Sequence, residues 1–448
     1  MSSSRPSSSR YFTDEELARY LNDDGVISDS DGEPDGSEAE DHLEVEYPEQ
    51  TDEDDEPLEV TSTSSFNAES PVNFEEHVWS TKRPQSLKTA SSNIVRISRG
   101  PTSQCRRIKN ALQWFEMFII AEIIDEVVQW TNAEIMVKQQ NYSVIRSTQQ
   151  RTDKCEIRAL IGLLVLTATF KDNHLSTDEL FDTSFSGSRY ITTVSKDRFE
   201  LLLQCLRFDD KSLRLSIQNR DRFVPIRKVM DLFIGKCKTN YDVGMYVTID
   251  EQLLAFRGRC PFRLYIPNKP AKYGIKIVMV CDAGTKYMVN ATPYLGKSTE
   301  TGGLPLGEYF VKQLTQPLHG SNRNVTSDNW FTSIPLAKSL LSQPYKLTSR
   351  TRATGTSIFC YDGPLTLLSY KPKPNKVVYL LSSCSEEGTV NERTKKPNMV
   401  EFYNQTKGGV DTLDQMCSNM SCSRKTNRWP MCVFYGMLNI AFINSYVL

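Results

Sequence analysis

The chain has 448 residues, of which 39% are hydrophobic, and a formal net charge of −2, so it is long enough for two or more domains with their own cores. Its eleven cysteines form no CxxC pair and its four histidines are far apart, which argues against a zinc ribbon or a disulfide scaffold and favours reduced thiols in a nuclear or cytosolic protein. No secretory signal opens the chain, and the longest apolar runs, residues 159–167 and 433–448, are too short or too interrupted by asparagine for a membrane span.

The first 76 residues are strongly acidic. They contain 24 acids and three arginines, a net charge of −21, whereas the remaining 372 residues carry +19. A segment rich in Ser, Asp, Glu and Pro cannot bury enough apolar surface to offset its ordering entropy, so residues 1–76 are predicted to be a disordered tail. The basic remainder predicts a nucleic-acid partner. The tail either competes with DNA for the basic surface or is a solubilising extension, and the sequence leaves both open.

After a linker at residues 77–104, residues 105–245 have helical periodicity. Apolar side chains recur at three- and four-residue steps from Leu112 to Trp130, which predicts one helix of about five turns. Further helices are predicted over Glu156–Thr169 and Lys196–Leu206. Such stripes indicate packing faces more often than binding grooves.

From Tyr246 the pattern changes to strands, and two of these strands end in a carboxylate. The sequence of Tyr246–Asp250 is YVTID, a β-branched and aliphatic run that ends in an aspartate. Asn324–Asp328, NVTSD, has the same pattern. The β-rich runs YGIKIVMVCD and KYMVNATPYL lie between them, and a helix, IPLAKSLLS at residues 334–342, is predicted after the second acid.

A third acidic segment follows Gly408-Gly409, a predicted break before a helix. The i, i+3 spacing of Asp411 and Asp414 places both carboxylates on one helical face. Carboxylates from distant segments can hold two divalent ions about 3.5 to 4 Å apart, which activate a water or a 3′-hydroxyl in phosphodiester chemistry. Spacing alone leaves open that these aspartates are ordinary turn or capping residues.

Long segments of the chain closely resemble the piggyBac transposases. They are TIDEQLLAFRGRCPFRLYIPNKPAKYGIKIVMVCDAGTKYM, DNWFTSIPLAKSLL, YNQTKGGVDTLDQM and CSRKTNRWP, and the resemblance extends from about His77 to Leu448. It implies a mixed α+β fold: an RNase H-like DDE/D catalytic core at residues 246–348, a β-rich insertion at 349–400 and a catalytic helix within 401–448. A helical dimerisation and DNA-binding domain at residues 105–245 would precede them.

The same resemblance implies roles for the acids. Asp250, Asp328 and Asp411 would be the catalytic ligands of Mg²⁺ or Mn²⁺, with Asp414 as an additional catalytic carboxylate. The reaction implied is cut-and-paste DNA transposition, with hairpin intermediates and insertion at TTAA. The resemblance further implies that the protein binds double-stranded DNA and no membrane. It also implies a homodimer located in the nucleus.

Two basic groups flank the acids and are predicted to contact DNA phosphates. The first follows Asp250 and the second follows Asp414, and together they comprise Arg257, Arg259, Arg263, Lys269, Lys272, Lys276, Arg424, Lys425 and Arg428. Solvated surface charge is the ordinary alternative for any one of them.

The chain also departs from the family pattern. Only Ser349–Thr354 separate PYKLT from GTSIFC, where the family has a further strand and a connecting segment. The family's later helices, its cysteine-rich zinc-binding domain and a nuclear-localisation stretch would lie beyond Leu448, so the apolar helix ending there is expected to lack the helices that bury it. Three hypotheses follow: a competent transposase, a catalytically inert DNA- or partner-binding derivative, and a non-functional truncated product. The departures predict that the chain does not excise an element by itself.

Overall fold

The computed structural model describes residues 72–74, 77–80, 95, 97–214, 221–266, 271–296, 299–328, 330–331, 353–362, 365–374, 376–383 and 388–448. All of them fall within one compact unit of the chain, Val45–Leu448. Apart from residues 72–74, the predicted acidic tail lies outside the described residues. So do the helix predicted at residues 334–342 and most of the shortened segment around residues 349–354.

The first part of the described chain is mostly helical. The strands are β1 (Val72–Phe74), β2 (His77–Trp79) and β3 (Gly100–Pro101), and the helices are α1 (Ala111–Glu116), α2 (Ala121–Gln139), α3 (Lys154–Phe170), α4 (Thr177–Phe181), α5 (Thr183–Ser186), α6 (Lys196–Cys205) and α7 (Val224–Asn240). Short 3₁₀ turns lie at Ser147–Gln149 and Lys211–Leu213. The helices predicted at residues 156–169 and 196–206 are thereby confirmed as α3 and α6.

The single helix predicted from Leu112 to Trp130 is wrong, because the chain breaks into α1 and α2. The Asn110 side chain caps α1 by accepting a hydrogen bond from the Leu112 N–H. Ile120 is extended, with φ −69° and ψ 166°, so a new helix begins after it. Leu112 is 63% exposed, whereas Val127 is fully buried, so the predicted apolar stripe does not form one continuous packing face.

A five-stranded sheet follows the helices. The elements in this part of the chain are β4 (Tyr241–Asp242), β5 (Tyr246–Ala255), β6 (Leu264–Tyr265), β7 (Tyr273–Asp282), β8 (Met288–Pro293), α8 (Leu306–Thr315) and β9 (Asn324–Ser327). Strands β5 to β9 form the sheet, and β4 pairs with β3 outside it. Both β5 and β8 are antiparallel to β7, and β9 is parallel to β5. Ile249 of β5 pairs with Ser327 of β9, so Asp250 and Asp328, each the next residue along, emerge at neighbouring positions.

A second, antiparallel sheet and three helices complete the described chain. The sheet consists of β10 (Ser357–Asp362), β11 (Leu365–Lys373) and β12 (Lys376–Ser382) in chain order. The helices are α9 (Asn398–Thr406), α10 (Gly409–Asn419) and α11 (Trp429–Val447).

Helix α11 is a core helix, and the prediction that its apolar surface lacks a covering is wrong. Within the described residues it is the helix that length and composition would allow to cross a membrane, yet 67% of its apolar window is buried inside the protein. It packs against α1, α7, α10 and β5. The buried Asn444 amide accepts a hydrogen bond from the Met288 N–H and donates one to the Met288 carbonyl, both at 2.9 Å. The helix is therefore buried by the sheet and by helices that precede it.

Candidate metal centre

The middle of β5 and the end of β9 bring a group of carboxylates together. The predicted strand end at Asp250 is wrong, because β5 continues to Ala255 and stays paired with β7 over that length. Oxygen atoms of Asp250, Glu251 and Asp328 all lie within 4.8 Å of one another. The parallel pairing of the two strands explains the meeting of the two aspartates, because Ile249 pairs with Ser327 and each aspartate is the next residue of its chain segment. Carboxylate oxygens are the donors that Mg²⁺ and Mn²⁺ prefer, so these residues fit a divalent ion.

The electrostatics of this group also favour a cation. Burial, and then the negative charge of Glu251, raise the pKa of Asp250 to about 8. The same two causes raise the pKa of Asp328, although the N–H groups of Trp330 and Phe331 donate to its Oδ1 at 3.0 and 3.4 Å and oppose the shift. Crowded, half-buried carboxylates repel one another, and a bound divalent ion would reverse that penalty.

Lys276, which was predicted to contact DNA phosphates, lies inside this centre. It is only 7% exposed, and its Nζ lies 3.8 Å from Glu251 Oε2 and 3.8 Å from the centre of the Trp330 ring. The reason is that every residue of β7 after Tyr273 is buried, so a charged side chain there needs an internal partner. The ammonium group thus serves as an internal counter-charge to Glu251.

Helix α10 lies against β5 at a very short distance. A Cβ on Gly409 would lie 2.5 Å from Thr248 Oγ1, closer than side chains approach, so glycine is required at the start of the helix. One and a half turns later, Gln252 Nε2 donates to Asp414 Oδ1 at 2.8 Å. Asp411 lies between these two contact points and is exposed.

Asp411 is close to the other acids but is not one of the three carboxylates within 4.8 Å of one another. Burial raises the pKa of Tyr403, and the carboxylates of Asp328, Asp250 and Asp411 raise it further. The negative charges of all three predicted ligands therefore affect the pKa of one tyrosine. The structure joins Asp250 to Asp328, places Asp411 in their neighbourhood and binds Asp414 to Gln252.

Sequence reasoning missed Glu251. Neighbouring residues in a strand point to opposite faces, so alternation predicts that Glu251 turns away from Asp250. However, β9 ends at Ser327, and the carboxylates on either side of β5 meet around Asp328 at that edge. The one sequence signal for Glu251 was its position directly after Asp250.

The remaining basic residues divide into two groups. Four of them are exposed: Arg257, Arg259, Lys272 and Lys425. Three guanidinium groups bind backbone carbonyls instead: Arg263 those of Arg257 and Gly258, Arg424 that of Leu175, and Arg428 those of Leu203 and Gln204. Lys269 lies outside the described residues. The exposed side chains can reach solvent, whereas the three guanidinium groups also bind the backbone of the protein.

Comparison with known proteins gives consistent matches. A family model described as Transposase IS4 matches residues 110–446. Human PiggyBac transposable element-derived protein 3 is 23% identical over 436 residues, which cover 88% of this chain and 70% of that protein. Human PiggyBac transposable element-derived protein 2 is 21% identical over 378 residues, 75% of this chain and 60% of that protein.

A solved structure is more similar. The cryo-EM structure of a piggyBac transposase synaptic complex with hairpin DNA shares 59% sequence identity with this chain and a TM-score of 0.75. The match covers 78% of this chain and 77% of that one.

Proposed function

Since this chain belongs to the piggyBac transposase family, we propose that it binds double-stranded DNA and catalyses its cleavage and joining with divalent metal ions. The observation that carries the proposal is the meeting of Asp250, Glu251 and Asp328 within 4.8 Å, with the Asp411 helix docked on the same strand. A metal-dependent phosphodiester reaction needs this donor set.

In this proposal Asp250, Asp328 and Asp411 hold Mg²⁺ or Mn²⁺, and Glu251 is close enough to share an ion with the first two. The ions, when bound, polarise the scissile phosphate and lower the pKa of the attacking water or hydroxyl. The protein orients its ligands through backbone donors: the Glu251 N–H donates to Asp250 Oδ1 at 2.8 Å, and the Trp330 N–H donates to Asp328 Oδ1 at 3.0 Å. Each bond fixes the orientation of one carboxylate oxygen.

The finer assignments belong to the same proposal. The strand order β8–β7–β5–β9, with β9 parallel to β5, supports an RNase H-like core. The family resemblance supports transposon ends and TTAA targets as substrates, hairpin intermediates, a nuclear location and a homodimer built on residues 105–245. Arg257, Arg259, Lys272 and Lys425 would contact DNA phosphates from the surface.

The test uses the full chain and a synthetic DNA hairpin with TTAA at its tip. We expect binding without metal, and hairpin opening and joining to a TTAA-containing plasmid only when Mg²⁺ or Mn²⁺ is added. Asp250→Ala should abolish the chemistry and keep the binding. Opening that persists in EDTA or in the Asp250→Ala variant would contradict the proposal, and binding without any opening would favour a catalytically inert DNA-binding derivative.

A further inference from the structure

We infer that the segment from the end of α9 through α10 is held on β5 by a two-point clamp, which positions Asp411 at the level of Asp250, and that Asp414 acts as a positioning residue in this clamp and not as an ion ligand. The α10 clamp consists of two hydrogen bonds. Thr248 binds Thr406, the last residue of α9 and three residues before α10 begins, and Gln252 binds Asp414 within α10. The role given to Asp411 rests on the proposed function, whereas the clamp itself rests on geometry.

The first contact of the clamp joins three chain segments. Thr248 Oγ1 donates to the Thr406 carbonyl at 2.6 Å, and Thr326 Oγ1 donates to Thr406 Oγ1 at 2.9 Å. Thr248 and Thr326 are direct partners in the pairing of β5 with β9, and each lies two residues before an acid, Asp250 or Asp328. All three threonines are at most 7% exposed, so water does not compete for these bonds.

The second contact is equally buried on the strand side. Gln252 is 2% exposed, and its Nε2 donates to Asp414 Oδ1 at 2.8 Å. The other amide atom, Oε1, is buried and accepts no hydrogen bond from the described residues. Burying an amide group costs free energy unless its polar atoms form hydrogen bonds. The hydrogen bond to Asp414 offsets part of that cost for Gln252.

The two contacts bracket the Asp250–Asp411 pair. Thr248, Asp250 and Gln252 alternate along β5 and therefore lie on one face, which α10 covers. Along the helix, Gly409 lies at Thr248 and Asp414 at Gln252, with Asp411 between them. The middle residue of the strand and the exposed acid of the helix are consequently at the same level. The bond from Gln252 turns one oxygen of Asp414 toward the strand, which is the orientation that a positioning role requires.

Isosteric substitutions separate the two roles of Asp414. Gln252→Glu disrupts the second contact, because it places a carboxylate against that of Asp414. Asp414→Asn keeps an oxygen that accepts from Gln252 but removes the charge that an ion ligand supplies. The double variant Gln252→Glu/Asp414→Asn rebuilds the contact with donor and acceptor exchanged. Thr248→Val removes the first contact, and Thr248→Ser retains the hydroxyl as its control. Each substitution changes hardly any volume, so the packing of α10 on β5 is preserved.

Three measurements on the full chain are needed. Hydrogen exchange of the amides of residues 409–419 reports docking of α10, and terbium luminescence excited through Trp330 reports ion binding beside Asp328. Hairpin opening reports catalysis. We expect each disrupting single variant to increase exchange in α10 and to slow opening about 10- to 100-fold, since displacement by about 1 Å costs that much. Terbium affinity should stay within about threefold, because tenfold losses accompany changes to the ligands or their direct partners.

The double variant and Thr248→Ser should recover both α10 protection and opening. The inference would be overturned if Asp414→Asn weakened terbium binding more than about tenfold and the double variant did not restore it, because Asp414 would then be an ion ligand. Unchanged exchange in all single variants would also overturn it. If the wild-type chain opens no hairpin, the proposed function fails, yet exchange and its recovery in the double variant still decide whether the clamp exists.

Discussion

Replacing Gly409 by alanine should damage catalysis far more than its chemical size suggests. The added Cβ would lie 2.5 Å from Thr248 Oγ1 and 2.8 Å from Thr248 Cβ. Ordinary contacts between such atoms are about 3.5 to 4.0 Å, so the start of α10 must move away from β5 by about 1 Å. Overpacking of this kind costs about 1 to 3 kcal/mol of the free energy of unfolding.

The consequence for activity follows from the position of Asp411, two residues into the same helix. A displacement of about 1 Å at a reacting group reduces rates about 100-fold. We therefore expect hairpin opening by Gly409→Ala to fall by about that factor, while Asp250 and Asp328, which lie on strands, keep their positions.

Gly408→Ala is the matched control. It makes the same change one residue earlier, where the nearest atom, Thr412 Oγ1, is 3.8 Å from the added Cβ. Urea unfolding and hairpin-opening rates of the two variants would be measured side by side. If Gly409→Ala matched Gly408→Ala in both stability and rate, the close approach of α10 to β5 would not be what places Asp411.

Three further outcomes are expected. Lys276→Met should lower the free energy of unfolding by about 3 kcal/mol in chelator, measured in urea, because it removes the buried ammonium group that lies 3.8 Å from Glu251 Oε2; an unchanged midpoint would show that the pair contributes nothing. The pKa of Asp250 is raised to about 8 in the folded chain, so the folded state binds more protons than the unfolded state between about pH 4 and 8. The free energy of unfolding without metal should therefore decrease as the pH rises from about 4 to 8. Asp250→Asn should flatten that slope, and a slope that persists in the variant would assign it to other groups. Residues 77–448 should bind DNA more tightly than the full chain at low salt, since the first 76 residues carry −21; equal affinities would remove the masking role of the tail.

The parts of the site that sequence could predict are those that local pattern determines. Asp250 and Asp328 follow runs of β-branched residues, so the strands that precede them could be predicted, although β5 does not end at Asp250 as β9 ends before Asp328. The helix that carries Asp411 and Asp414 could be predicted as well. The pairing that brings the two aspartates together is non-local, and only the family resemblance indicated it.

Other features depend on contacts that no local pattern specifies. No local pattern marked Glu251 as a member of the acidic group, and the charge of Lys276 gave no sign that its strand is buried. Likewise, the periodicity from Leu112 to Trp130 continues across a break that the extended backbone of Ile120 imposes. In each case tertiary packing overrides a valid local rule.

The pairing of Asn444 with Met288 has a consequence for synthesis. In the described chain β8 pairs with β7 alone, and the Asn444 amide binds both backbone groups of Met288 as another strand would. These residues are 156 positions apart, which a ribosome covers in roughly 8 to 30 s at about 5 to 20 residues per second. During that interval the edge of the sheet is open to strand addition by other nascent chains. Helix α11 therefore also ends a period of vulnerability to aggregation, and conditions that slow translation of residues 289–444 should lower the soluble yield.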